Sequence, residues 1–325
     1  MLITIITLSY NSVSTIKETI DSVLMQNYEE IQYIIADDGS KDFNCDEIKK
    51  YINNHCSSNL KELIVIHNDI NVGTVRNLNA ALKLSKGEII FNLSADDSFY
   101  DKSVISDWVA EFKLSGAEII TAKRSVYTES KDNVIAIEPD ADKIRIIKTS
   151  YPMQLLEYIA PVNIIFGCCT ARTRANILKY GGYDERYRYI EDYSSNLRLL
   201  RNGEKIHFFD RVVVNYRFAG VSSPSKINRY YLRENRNIFK NEALPYILKK
   251  HVAKKRYHKW IKGLKAGCRL KWLTEHNGSD TNFIQRAYAY FVYYVLWYPV
   301  EGIKRLVLKP ASLLKIFRGN SDESR

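Results

Sequence analysis

The strongest constraint in this sequence is an alternation, over residues 2–121, of short β-branched apolar runs with stretches of helical period. Residues 2–8, 31–36, 63–67, 88–93 and 117–121 read as strands, and residues 77–85 and 103–114 as helices, the first stopped by Gly87. Ile16, Ile20, Val23 and Leu24 mark one face of a further helix, opened by the capping-box pattern Thr15-x-x-Glu18. Strands apolar on both faces need cover on both sides, so the expected fold class is α/β, a mostly parallel sheet flanked by helices. Sheets of this kind place their sites at the carboxyl ends of the strands.

A chain of 325 residues with 46% apolar content can bury a core without staples, as one large domain or two. Collagen-like, disordered and disulfide-dense classes are excluded. The five cysteines (Cys45, Cys56, Cys168, Cys169, Cys268) are odd in number and show no zinc-type spacing, which fits a reducing compartment. The first nine residues lack a charged leader and a small-residue cleavage site, so they read as a buried strand rather than a signal peptide. In the tail the longest uncharged stretch is the 14 residues 287–300, short of the ~20 that cross a bilayer as a helix. The charge is divided: 26 basic and 30 acidic residues up to 225, then 22 basic and 7 acidic beyond. A neutral-to-acidic body over residues 1–225 is therefore expected, followed over 226–325 by a basic, aromatic helical region suited to an anionic surface.

Three polar groups fall at the ends of predicted strands: Thr7-Leu8-Ser9-Tyr10-Asn11, Asp37-Asp38-Gly39-Ser40 and Ser94-Ala95-Asp96-Asp97. No glycine precedes Gly39, which argues against a dinucleotide-binding loop after the first strand. Asp37-Asp38-Gly39-Ser40 has the composition of a turn, but a carboxylate there can also accept the N–H of a nucleobase. Adjacent carboxylates such as Asp96 and Asp97 repel unless a cation compensates them, and oxygen ligands suit Mg²⁺ or Mn²⁺. Such an ion can bridge a diphosphate and stabilise it as a leaving group.

These motifs, followed by Asn71-Val72-Gly73, Arg76-Asn77, Lys86-Gly87-Glu88, Gly181-Gly182-Tyr183-Asp184-Glu185 and Glu191-Asp192, resemble the family 2 glycosyltransferases of the GT-A fold over residues 2–222. The resemblance implies that Thr7, Tyr10 and Asp38 meet the donor nucleotide, with Arg76 near its phosphates. It implies Asp96 at the donor's ribose or sugar and Asp97 on the metal. Asp192 is implied as catalytic base, and the chemistry agrees, because a sugar hydroxyl needs a carboxylate to take its proton as it attacks. Attack opposite the departing diphosphate inverts the anomeric carbon. Two departures stand out: Ser94 replaces a leading Asp of the metal motif, and Ala219 holds a place where many members carry a histidine.

The implied function is transfer of a sugar from a UDP-sugar to a saccharide on a polyprenyl diphosphate carrier, as in bacterial surface polysaccharide synthesis. Direct transfer to polyprenyl phosphate is one rival; a noncatalytic nucleotide-sugar or polyanion binding protein is another. In the tail, Tyr257, Trp260, Ile261, Leu264 and Cys268 line one helical face and Lys255, Lys259, Lys262, Lys265 and Arg269 lie mostly away from it. That pattern suits a helix lying in a membrane interface, cytoplasmic and peripheral at the inner face of the cell membrane, though a packed helical subdomain would show it too. No nucleic-acid module is present, so nucleic acid is not an expected partner.

Overall fold

The structure, a computed structural model, describes residues 1–55, 58–128, 130–218 and 229–275, with side chains to Lys262. Ala219, Cys56, Cys268, Leu264, Lys265, Arg269 and the aromatic stretch of the tail lie outside these side chains. The chain divides into two compact units, Met1–Phe218 with Arg233–Ile247, and Ala219–Leu232 with Leu248–Arg325. A division at residue 225 therefore misses that residues 233–247 group with the first unit.

In that unit the apolar runs become strands β1 (Ile3–Ser9), β2 (Ile31–Asp37), β3 (Leu60–His67) and β4 (Ile89–Ser94). They pair in parallel in the order β3-β2-β1-β4. Helix α1 (Ile16–Leu24) and the later α4 (Val104–Ser115) cover one face, where Ile16, Ile20 and Trp108 meet Ile3, Ile5, Tyr33 and Phe91. Helix α3 (Thr74–Leu84) covers the other, placing Val75, Leu78 and Ala81 against Ile6, Ile34 and Ile90; α2 (Cys45–His55) connects β2 to β3. Each fully buried Ile contributes on the order of 1.5–3 kcal/mol, so two-sided burial makes these strands the stable centre.

Beyond β4 the sheet is mixed. Strands β5 (Ser98–Phe99), β6 (Ile119–Tyr127), β7 (Val134–Glu138), β8 (Thr170–Thr173) and β9 (His207–Arg217) extend it as β4-β8-β6-β9-β5, with β7 on β6. The described residues of 122–160, a charged stretch in which the sequence shows little pattern, form the end of β6, β7, α5 (Ala141–Thr149) and α6 (Pro152–Ile159). Over 122–127 the strand carries Lys123, Arg124 and the buried Ser125 among its apolar residues, which hides it from an apolar-run criterion. Helices α7 (Arg174–Lys179), α8 (Glu191–Arg201), α9 (Arg229–Ile238) and α10 (Lys250–Glu275) complete the described chain.

The expected capping box is not formed. Thr15 makes no side-chain cap; its hydroxyl donates to the Ala95 carbonyl at 2.7 Å, and Glu18 is taken by Arg217 and Lys131. Gly87, read as a helix stop, serves a close approach: a Cβ there would stand 2.3 Å from the Thr4 nitrogen and 2.4 Å from the Ile3 carbonyl carbon. Both obstacles are backbone in the central strand. Gly87→Ala is expected to cost about 1–3 kcal/mol by overpacking, read as a lowered midpoint in urea unfolding.

Candidate active site

β1 ends between two acidic turns. The Asp38 N–H donates to the Ser9 carbonyl (2.8 Å) and the Ala95 N–H to the Leu8 carbonyl (2.9 Å), so the Asp38 and Asp96-Asp97 turns flank the Ser9-Tyr10 corner. Asn11 takes positive φ there (52°), and its N–H donates to Ser40 Oγ, which in turn donates to Asp37. Asp37 also accepts the Ser40 N–H and pairs with His67 at 2.8 Å, fully buried. It is the brace of the turn.

Asp38 is 4% exposed and spends both oxygens on the chain: Oδ1 accepts the Val72 N–H (2.8 Å) and an Asn68 amide (3.1 Å), and Oδ2 accepts the Gly73 N–H (2.8 Å). It thereby fixes the 71–73 loop. Tyr10 is half exposed beside it. Thr7, expected at the donor nucleotide, is fully buried on the face shared with Ile3 and Ile5, and its hydroxyl is 3.0 Å from the Tyr33 hydroxyl. The better-placed hydroxyl is Ser9, at the strand end, buried with Oγ unpartnered. Arg76 stands apart from the acidic turns in an exposed 3.7 Å pair with Glu185.

Asp96 is half-buried and Asp97 is 2% exposed. Asp97 Oδ1 accepts the Arg217 N–H at 3.0 Å, while Oδ2 is buried with no hydrogen-bond partner. Burial and then the Asp96 charge push the Asp97 carboxyl well above its usual range; the Arg217 N–H and the Arg124 charge oppose this. An orphaned carboxylate oxygen beside a second carboxylate fits a hard divalent cation, whose charge would reverse that upward shift. Among the described residues no three His, Cys, Asp or Glu side chains gather as a ready-made metal cage. A cation here would have to be shared with a ligand's oxygens.

Asp192 opens α8 and is half-buried against the 163–167 loop. Its Oδ2 accepts the Asn163 amide and the Gly167 N–H, both at 3.1 Å, and Asn196, one turn on, donates to Asn163 Oδ1. A Cβ at Gly167 would stand 3.2 Å from the Asp192 Cβ and 2.9 Å from Glu191 Oε1, so a side chain there would press on both acids. Burial raises the Asp192 carboxyl, against the Gly167 and Tyr193 N–H groups and Arg124. Burial, then the Asp192 charge, pushes Glu191 up to about 8.

Arg124 was not picked out from the sequence. Its guanidinium lies between the rings of Phe166 (3.6 Å) and Tyr216 (4.0 Å), pairs with Glu138 at 2.8 Å, and counters the charge of both Asp97 and Asp192. Phe166 precedes Gly167, whose N–H donates to Asp192, and Tyr216 precedes Arg217, whose N–H donates to Asp97, so the two rings that hold Arg124 belong to the segments that hold the two carboxylates. The only sequence signal for Arg124 is its place three residues past the strand-like run 117–121.

The family model described as Glycosyl transferase family 2 matches residues 4–181. The chain is 28% identical over 242 residues to UDP-Glc:alpha-D-GlcNAc-diphosphoundecaprenol beta-1,3-glucosyltransferase WfaP of Escherichia coli, covering 72% of this chain and 84% of that protein. It is also 28% identical over 230 residues to an uncharacterized glycosyltransferase of Rickettsia felis and 27% over 217 residues to one of Rickettsia typhi, 70% and 66% of this chain. The matches span 36% and 64% of those two relatives' lengths. Among solved structures, S. aureus TarS residues 1–349 in complex with UDP-GlcNAc aligns with TM-score 0.57 at 16% identity, covering 94% of this chain and 90% of that one. Mannosyltransferase PcManGT from Pyrobaculum calidifontis, in complex with GDP-Man and Mn2+, aligns with TM-score 0.59 at 16% identity, over 97% and 86%. These likenesses show the expected GT-A type of fold.

Glu191 makes a pH prediction. Its folded-state pKa of about 8 lies above its ordinary 4.5, so the folded state holds the extra proton and stability falls as pH rises between those values. Glu191→Gln removes that titration; thermal unfolding across this interval should show a shallower decline than in the parent.

Proposed function

The chain belongs to glycosyl transferase family 2, and we propose that it moves a sugar from a UDP-sugar to a saccharide carried on a polyprenyl diphosphate, with inversion at the anomeric carbon. The observation that supports this reading is that Asp97, with a buried unpartnered oxygen, and Asp192, held by Asn163 and Gly167, are anchored by the segments whose rings enclose Arg124, one carboxylate suited to a cation and the other to a proton. Asp192 is the base. Burial makes its carboxylate a better proton acceptor than a solvated aspartate, and Asn163 and Gly167 hold Oδ2 from one side while Arg124 limits the rise. The acceptor hydroxyl gives its proton to Asp192 as it attacks.

On the donor side Asp38 holds the 71–73 loop, and Ser9 and Tyr10 supply the corner against which a nucleotide would lie. Arg76 is assigned to the donor phosphates on the family resemblance; its exposed pair with Glu185 contributes under about 1 kcal/mol and would yield to a stronger anion. Asp97, with Asp96 beside it, would hold Mg²⁺ or Mn²⁺, which would draw charge from the departing diphosphate. The WfaP name, with its UDP-Glc donor and diphosphoundecaprenol-linked acceptor, supports this choice of substrates.

We further read the tail as the element that keeps the enzyme peripheral at the inner face of the cell membrane, where such an acceptor resides. Along α10, Lys254, Lys255, Lys259 and Lys262 are exposed while Ala253 and Tyr257 are buried. No described helix is long and apolar enough to cross a membrane.

Asp192→Asn should lower kcat at least about 100-fold with UDP binding unchanged, and parent turnover should fall as pH drops, beginning above the ordinary aspartate range. Mass spectrometry of products from lipid-linked saccharide acceptors checks both; retained turnover removes Asp192 from the mechanism. Asp97→Ala should weaken cation-dependent UDP binding in titration calorimetry. Replacing Lys254, Lys255, Lys259 and Lys262 with Glu should abolish co-flotation with anionic vesicles, each lysine contributing about 1 kcal/mol.

A further inference from the structure

Three consecutive N–H groups lead into the helix that carries Asp192, and all three end on one side chain far downstream. Glu234 Oε2 accepts the Arg188 N–H at 2.7 Å, and Oε1 accepts those of Tyr189 (2.8 Å) and Ile190 (2.7 Å). Ile190 is the N-cap of α8 and offers no side-chain cap of its own, so no local group does this work. A second carboxylate in the same segment, Glu242, accepts from Arg186 (2.8 Å), the Tyr187 hydroxyl (3.0 Å) and Arg201 at the other end of α8 (2.7 Å). Glu242 therefore docks the segment, leaving Glu234 free to act on the turn itself.

The turn also touches the donor side. The Arg188 carbonyl accepts the Val75 N–H at 3.1 Å, its guanidinium donates to the Asn71 carbonyl at 2.8 Å, and its Cγ would lie 2.4 Å from a Cβ on Gly73. Residues 71–73 are the loop that Asp38 fixes. The turn 188–190 is thus a strut between the nucleotide-side loop and the base helix, and one carboxylate sets its backbone.

We propose that Glu234 is a positioning residue for the transfer reaction, holding the 188–190 turn so that Asp192 is presented to the acceptor hydroxyl at the angle proton removal needs. The inference rests on the assignment of Asp192 as base. Glu234 touches no substrate. Displacing a base by about 1 Å can cost about 100-fold in rate while leaving ground-state binding intact, so its signature is a split between kcat and KM.

The test uses the full chain with Glu234→Gln and Glu234→Ala, at a temperature well below both unfolding midpoints. Glutamine keeps one oxygen for the Tyr189 and Ile190 N–H groups and loses the acceptor for Arg188; alanine loses all three. Expected are kcat losses of about 3- to 10-fold for Gln and 10- to 100-fold for Ala, with donor KM and UDP affinity within about threefold of the parent. Wild-type kcat in both variants, or a change confined to KM, overturns the inference. If the alanine variant does not fold, the near-isosteric glutamine decides by the same kcat-to-KM split. Asp192→Asn run alongside separates the two claims. Turnover retained there overturns the base assignment and this inference with it, whereas its loss beside unchanged Glu234 variants overturns the inference alone.

Discussion

Gathering carboxylates at the ends of apolar strands is electrostatically unfavourable, and the rest of this structure is arranged around making it tolerable. Each acid is compensated differently. Asp38 is neutralised by backbone N–H groups of the 71–73 loop, Asp192 by the Gly167 and Tyr193 N–H groups, and Asp97 by a single N–H from Arg217. Among them stands the Arg124 guanidinium, held between Phe166 and Tyr216 and already partnered by Glu138. A freely mobile lysine there would pair with one aspartate and be lost to the other. A planar guanidinium fixed by two rings acts on both without collapsing onto either.

The compensation is incomplete by design of the fold rather than by accident of packing. Asp97 retains a buried oxygen without a donor, and Glu191 sits next to Asp192 with its proton held to about 8. Groups left in this condition are under tension that a cation or a proton relieves. The two relieving species differ, because one carboxylate lies beside another carboxylate at a strand end and the other lies under a glycine loop at a helix start.

Much of this was legible in the sequence wherever a residue's environment is set by its neighbours in the chain. The first four strands, with both faces apolar, could only be a covered parallel sheet, and Asp38, Asp96 and Asp97 follow from where those strands stop. Alternation within β1 would also have assigned Thr7 to the face of Ile3 and Ile5, had it been weighed against the motif. What could not be read depends on distant partners. β8 is hidden because its buried face carries Arg172, satisfied by Asn176 and Ser195. Thr15 looks like a helix cap until the Ala95 carbonyl, 80 residues on, claims its hydroxyl. Glu234 lies 44 residues from the nearest N–H it accepts, a separation no local pattern encodes.

That separation bears on how the molecule comes into being. A polypeptide leaves the ribosome amino end first, and its domains begin folding in that order. The sheet, the Asp38 loop and even Asp192 are all synthesised before residue 218, while the side chains that clamp the base helix, Glu234 and Glu242, arrive only afterwards. A nascent chain can thus form the sheet and the Asp38 loop early, while the turn before Asp192 gains its two carboxylate clamps only once residue 242 has been made.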